Sequence, residues 1–275
     1  MWHLHLKVTN KCQAGCNFCI EKGITCKENA TQYIEKLDKV LTEMESEDIL
    51  YSVSVTGGEP LLFDNFKLLS DTLKSHDIKF LTMNTNAALL KQNLNLIDGV
   101  FDFVDISRHS VDDNINNQIF KNNMPTINDL KEIKKNMHKT KMRLQCVITK
   151  EMTYSDFMNY VDTFSFADDL SFRRLMSTSD IHNVVYDNAK SSDSYINILN
   201  NVYNDFNLVE QVLQDYYVYE TWERNNKNIT FSYSDMNMLT NEEKREEDNI
   251  CREFILHPNG IFSGSWDYNK KIILP

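Results

Sequence analysis

No stretch of this sequence approaches the roughly 20 consecutive apolar residues needed to span a bilayer. Its first residues, Met1-Trp2-His3-Leu4-His5, have neither the basic nor the apolar segment of a secretory signal. These absences predict a cytoplasmic protein with no membrane partner. Internal repeats and low-complexity linkers are missing as well. Cysteine is sparse, six in 275 residues, and three of the six crowd into eight positions, so the thiols do not make a disulfide framework. Positive charge is in deficit: 29 Lys and Arg face 40 Asp and Glu, a formal net charge of −11. That balance argues against nucleic acid as a main partner, because the dominant electrostatic term is repulsive. What remains, 41% hydrophobic and 25% charged residues, is the composition of a globular protein long enough for one large α/β barrel or two small domains.

The three crowded cysteines, Cys12, Cys16 and Cys19, have the spacing CxxxCxxC and directly follow a short apolar strand pattern at 4–8. A structural zinc site normally closes its tetrahedron with four protein ligands, whereas a 4Fe-4S cluster held by three cysteines leaves one iron open. On spacing alone the motif is a zinc half-site or a cluster site. Downstream, strand and helix patterns alternate. Thr31 can cap a helix with Ile34, Leu37, Leu41 and Met44 on one face, and a β-rich run at 49–55 ends in Gly57-Gly58-Glu59-Pro60. Asp64 precedes an amphipathic stretch with Phe66, Leu69 and Leu73. Strands follow at 78–83, 100–107, 143–149 and 170–175, with helices at 87–97, around 127–137 and at 154–164.

Six strands alternating with helices predict a parallel sheet curled by right-handed crossovers into a partial (β/α)6 TIM-like barrel over 1–176. The cysteine loop, the GGEP turn, Asn84-Thr85-Asn86 and Ser107-Arg108-His109 all fall at strand ends. From about Ser177 the pattern changes to a C-terminal α+β extension, 177–275, containing a long helix with Tyr195, Leu199, Val202, Phe206, Val209 and Val212 and a strand at 229–231. It also holds a solvated charged run at 242–248 and a hairpin turn at His257-Pro258-Asn259-Gly260.

The cysteine spacing after a first strand, an aromatic residue (Phe18) just before the third cysteine, and Gly57-Gly58-Glu59-Pro60 at the second strand end together resemble the radical S-adenosylmethionine (radical SAM) enzymes. The resemblance covers roughly 4–175. It implies that Cys12, Cys16 and Cys19 hold one 4Fe-4S cluster whose fourth iron is chelated by S-adenosylmethionine. Reductive cleavage of that cofactor would give methionine and a 5′-deoxyadenosyl radical that abstracts hydrogen from substrate. It further implies that Gly57 and Gly58 let the backbone approach the cofactor, that Glu59 accepts from its ammonium group, and that Asn84, Asn86, Ser107, Arg108 and, less directly, His109 lie near its ribose and carboxylate. Val147 is a candidate for packing on the adenine, with Phe18 as a partial stacking partner. The fourth strand departs from the family's Ser-x-Asp ending, since it reads Ser107-Arg108-His109.

Arg173 and Arg174, at the sixth strand end, are candidates for a substrate carboxylate or phosphate. His3 and His5 alternate on the first strand, so at least one can enter the barrel interior. Cys251 resembles the first cysteine of the multi-cluster extension found in some peptide-modifying members, but no cysteine follows it, so one cluster is expected. It stays a candidate hydrogen-atom donor or covalent anchor, and the segment 251–266 is expected to close the barrel or frame the substrate pocket with Trp266 as an apolar wall. The chain begins at the first strand with no preceding domain to grip a leader peptide. This favours a small-molecule substrate of nucleotide, amino-acid or sugar type over a ribosomally made peptide, and a non-enzymatic Fe-S or zinc protein is the remaining alternative. The electron donor implied is a flavodoxin or ferredoxin.

Overall fold

A computed structural model describes residues 2–19, 26–175, 188–214, 217–234, 254–266, 268–269 and 272–274. Six strands run parallel and side by side in chain order: β1 (Trp2–Lys7), β2 (Tyr51–Thr56), β3 (Phe80–Thr85), β4 (Phe103–Ser107), β5 (Lys141–Ile148) and β6 (Asp169–Arg174). Crossovers pass through α1 (Ala30–Ser46), α2 (Phe66–Ser75), α3 (Asp113–Phe120) with α4 (Ile127–Asn136), and α5 (Tyr154–Thr163). This is the partial TIM-like barrel that the alternation predicts.

One set of strand residues packs under the helices. Leu4, Leu6, Val53, Val55, Met83, Val104, Ile106, Leu144, Cys146 and Phe172 are all fully or almost fully buried, and each such aliphatic side chain contributes about 1.5–3 kcal/mol. A slip of one residue in any strand would turn this set away from the helices, so the register is tightly held. The alternate set is mostly polar, with Phe80, Phe103 and Val147 as its apolar members. Across the sheet it reads His5, Ser54, Thr82; then Asn84, Asp105, Arg143, Asp169; then Ser107, Gln145, Ser171, Thr230. His5 on β1 and Arg173 on β6 stand five strands apart in the sheet, yet the charge of Arg173 reaches His5. The sheet therefore curls, and the polar set lines its concave interior.

Local signals place most helix ends. α4 and α5 begin with capping boxes, Thr126 with Asp129 and Thr153 with Asp156. Helix α1 is capped by Asn29, whose side chain accepts from the Gln32 amide at 3.2 Å, and not by Thr31. The helix expected at 87–97 is reduced to a 3-10 turn, Lys91–Leu96, after the chain leaves β3 through Ala87 at φ +65°.

The C-terminal part widens the sheet at both edges. Helix α6 (Asn188–Asp205) is followed by β7 (Asn207–Gln214), β8 (Tyr217–Arg224) and β9 (Lys227–Ser234); β9 pairs in parallel with β6, and β8 and β7 continue antiparallel. The helix expected to reach Val212 thus stops at Asp205, because Val209 and Val212 belong to a strand paired with β8. At the other edge β10 (Phe254–Leu256) pairs in parallel with β1, followed by antiparallel β11 (Phe262–Ser263) and β12 (Ile272–Leu274). The turn at 257–260 joins β10 to β11 with Gly260 at φ +81°. Among the described residues β12 and β7 end the sheet and do not pair, so the 254–266 segment extends the barrel wall at β1 and does not close it. The charged run at 242–248 and Cys251 lie outside the described residues. No described helix is long and apolar enough to cross a membrane.

Candidate cofactor-binding site

The loop carrying Cys12, Cys16 and Cys19 leaves the C-terminal end of β1 and is tied down on three sides. From below, the GGE turn that follows β2 bonds to it: the Gly58 amide donates to Thr9 O and the Glu59 amide to Lys11 O, both at 2.8 Å. The approach is so close that a Cβ on Gly58 would stand 2.3 Å from Lys11 O, and one on Gly57, at φ +142°, 2.5 Å from Thr9 O. From one flank, the Glu28 carboxylate accepts from the Asn10 amide at 2.5 Å and from Thr9 Oγ1 at 2.9 Å. From the other, the end of α3 contributes a bond from the Gly15 amide to Phe120 O at 2.7 Å, and Asn122 Nδ2 donates to Gln13 O at 2.9 Å.

Glu59 joins this loop to the end of β3. Fully buried, it accepts from Thr85 Oγ1 at 2.6 Å, from the Asn86 amide at 2.8 Å and from the Leu61 amide at 3.2 Å. Burial pushes its carboxyl upward while these three donors pull it back. Asn86 in turn accepts from Gln13 Nε2 at 3.0 Å and directs Nδ2 at Cys12 Sγ, 3.9 Å away. The GGE turn is therefore a fastening between two strand ends and the cysteine loop. The close backbone approach that its glycines permit is to the loop itself.

None of the three cysteines is in a disulfide; Cys12 is exposed, and Cys16 and Cys19 are partly so. Burial raises the Cys12 thiol, and burial with the neighbouring Cys19 and Cys12 pushes Cys16 up to about 12. The three sulfurs are near enough for the charge of one to disfavour ionisation of another. Among the described residues, no three His, Cys, Asp or Glu side chains gather closely enough to hold a single metal ion. Three cysteines suit a cluster that takes one thiolate per iron and leaves one iron open better than a structural zinc ion, which normally takes four protein ligands. Asn86 supplies the kind of N–H to sulfur contact that tunes such a cluster.

Phe18, His109 and Val147 come together beside the loop. The Phe18 ring meets His109 edge-on at 5.1 Å, His109 stacks on Phe120 at 5.1 Å, and the Val147 amide donates to His109 Nδ1 at 3.2 Å. Burial lowers His109 to about 3, so it is neutral. Asn84 and Ser107 occupy inward positions on β3 and β4. Arg108 does not join them. Only 1% exposed, it donates to Ser110 O (2.7 Å), Pro125 O (3.0 Å) and Asp113 Oδ1 (2.6 Å) and lies over the Phe164 ring, so its guanidinium serves the helical layer. Arg174 likewise faces outward, with Nε donating to Ser192 of α6 at 3.0 Å. Arg173, the next position inward, faces the interior.

The match to known families follows this geometry. The profile of the Radical SAM superfamily matches residues 6–164, which run from β1 through the cysteine loop and the GGE turn to the end of α5. This chain belongs to the radical SAM superfamily. Members of the superfamily use a 4Fe-4S cluster and S-adenosylmethionine. The chain is 28% identical over 167 residues to a probable GTP 3′,8-cyclase of Sulfolobus acidocaldarius, covering 58% of this chain and 52% of that protein. It thus spans about half the length of this curated relative. In fold it resembles SuiB of Streptococcus suis, both bound to S-adenosylmethionine (TM-score 0.68, 18% identity, 96% of this chain and 60% of that one) and bound to the precursor peptide SuiA (TM-score 0.64, 16% identity, 97% and 60%).

Sequence reading did not single out Glu28, Thr85, Gln13 or Asn122 as supports of the loop. Glu28 lies in a segment with no periodic pattern, and the others are recognisable only once the strand ends are brought together.

Proposed function

We propose that this radical SAM protein abstracts hydrogen from a small, polar molecule of nucleotide, amino-acid or sugar type in a biosynthetic pathway. The observation that carries this reading is the polar interior of the barrel beneath the cysteine loop. A parallel barrel normally fills its interior with branched apolar side chains, whereas here the inward positions are mostly His, Ser, Thr, Asn, Asp, Arg and Gln, with Phe80, Phe103 and Val147 among them. When bound and reduced by an electron from a flavodoxin or ferredoxin type donor, the cluster and S-adenosylmethionine supply a 5′-deoxyadenosyl radical for hydrogen abstraction.

The chain's own residues provide placement. Cys12, Cys16 and Cys19 hold three irons. Gly57, Gly58 and Glu59 set the height of the loop above the interior. Phe18, His109 and Val147 make a wall for the flat face of the adenine, and Asn84, Asn86 and Ser107 offer hydrogen bonds to the polar parts of the cofactor. The nucleotide chemistry in the name of the Sulfolobus relative agrees with a small substrate. SuiB shares the fold and takes a peptide, so a peptide substrate is the competing outcome.

The test uses substrate pools labelled with deuterium. Reconstituted protein, reductant and S-adenosylmethionine are incubated separately with the small-molecule and peptide fractions of cells grown in heavy water, and deuterium is sought in 5′-deoxyadenosine. Label from the small-molecule fraction is expected; label from the peptide fraction alone would overturn the reading.

A further inference from the structure

The interior holds a chain of hydrogen bonds, whose direction we assign from the one end that can only accept. It starts at Trp2 O, a carbonyl that can only accept, 3.3 Å from Ser52 Oγ. Ser52 donates its one proton there, so it accepts from His3 Nδ1–H at 2.7 Å. His3 Nε2 is then bare and accepts from the Ser54 hydroxyl at 3.1 Å. Ser54, its proton used, accepts from His5 Nδ1–H at 2.9 Å. In that assignment the proton of His5 is on Nδ1, and Nε2 is left with a lone pair and no hydrogen bond from any described residue. Both rings are neutral, since burial lowers His3 to about 4 and His5 to about 3. The Trp266 ring lies 4.9 Å from His5 and holds it against the wall.

The same side of the sheet carries cations at Lys7 on β1, which is buried, Arg143 on β5 and Arg173 on β6. Lower down, Arg143 is engaged by two carboxylates, Nε with Asp169 at 2.6 Å and Nη1 with Asp105 at 3.3 Å, and lies 4.2 Å over the Phe103 ring. Arg173, four residues further along β6 than Asp169, is exposed and makes no hydrogen bond or ion pair with a described residue. Its charge is felt by His5 and Asp105 across the interior. A cation with no ion pair to a described residue and a bare imidazole nitrogen, facing the same interior, are complementary recognition groups.

We propose that His5 and Arg173 determine specificity together: the substrate carries a carboxylate or phosphate that Arg173 grips, and a hydroxyl or N–H group that donates to His5 Nε2. The proposal rests on the barrel interior being the substrate's seat. It needs no turnover to test, so its failure is separable from failure of the radical chemistry, which is scored by cleavage of S-adenosylmethionine in the wild-type protein.

The measurement is nitrogen NMR of the histidine rings in the full chain, with the His5 signals assigned through His5→Gln. His5 is expected as the Nδ1–H tautomer with Nε2 unprotonated, and Ser54→Ala should release it to the commoner Nε2–H form. Inorganic phosphate and acetate are then titrated in separate arms. At least one should shift the His5 signals, the tighter arm naming the anionic group, and Arg173→Gln should weaken that anion roughly tenfold or more while Arg174→Gln does not. A protonated Nε2 in the wild-type protein, absence of any shift with both anions, or undiminished anion affinity in Arg173→Gln would each overturn the proposal.

Discussion

Gly58 acts through the side chain it lacks. A methyl group there would press on the Lys11 carbonyl, and backbone cannot swing aside as the end of a side chain can, so the cysteine loop itself must rise. Gly58→Ala is expected to cost about 1–3 kcal/mol of stability in chemical denaturation, and the displaced loop should retain well under the wild-type iron content after reconstitution. Wild-type iron content in that variant would show that the close approach is dispensable. At this scale much of the site was legible: cysteine spacing, Phe18 and the GGE motif stand in the sequence as residues whose chemistry is specific. The work of Glu59 was not legible, because its partners Thr85 and Asn86 are more than 25 residues away and only the fold brings them within 2.8 Å.

Elements explain Arg108, which sequence position alone misplaced. Arg108 follows a strand end that resembles a cofactor-binding position, but the next element is α3, and Arg108 fastens that helix to the body of the protein through Asp113 and two carbonyls. Helix α3 escaped sequence reading because Asp113–Phe120 is only eight residues long, five of them polar, and buries only Asn116 and Phe120. Removing a buried cation leaves Asp113 and the carbonyls without their donor, so Arg108→Gln is expected to lower stability by about 3 kcal/mol or more in denaturant titrations. A loss below about 1 kcal/mol, the range of a surface ion pair, would contradict the fastening role. β7 and β8 were missed for a different reason. Leu208, Val209, Val212 and Leu213 repeat at spacings that suit a helix as well as a strand, and pairing with β8 decides the matter.

The whole molecule places three neutral imidazoles in its interior, and their linkage to folding has a definite sign. His3, His5 and His109 have folded pKa values of about 4, 3 and 3, below the unfolded value near 6.5. The stability they allow is complete above about pH 6.5 and is lost as pH falls toward the folded values, since the unfolded chain takes up protons that the folded one refuses. The loss reaches on the order of 2 kcal/mol for each ring by pH 5. Glu59 and Asp105, raised by burial, act in the opposite sense and offset part of it. Denaturant midpoints at pH 7.5 and pH 5 should therefore differ clearly, with the lower value at pH 5; equal midpoints would mean that the histidines are hydrated and titrate normally.

At the same scale, the central barrel was legible because alternation of strand and helix is a local pattern. Its widening by β9 and β10 at opposite edges was not, because those strands join β6 and β1 across long stretches of sequence. The account as a whole stands on the three cysteines holding one cluster that opens onto S-adenosylmethionine. Anaerobic reconstitution tests this directly. The wild-type protein should be brown, hold about four irons per chain and, when reduced, cleave S-adenosylmethionine to 5′-deoxyadenosine, and Cys16→Ala should lose both cluster and cleavage. A colourless protein with stoichiometric zinc, or a cluster that survives in Cys16→Ala, would contradict it.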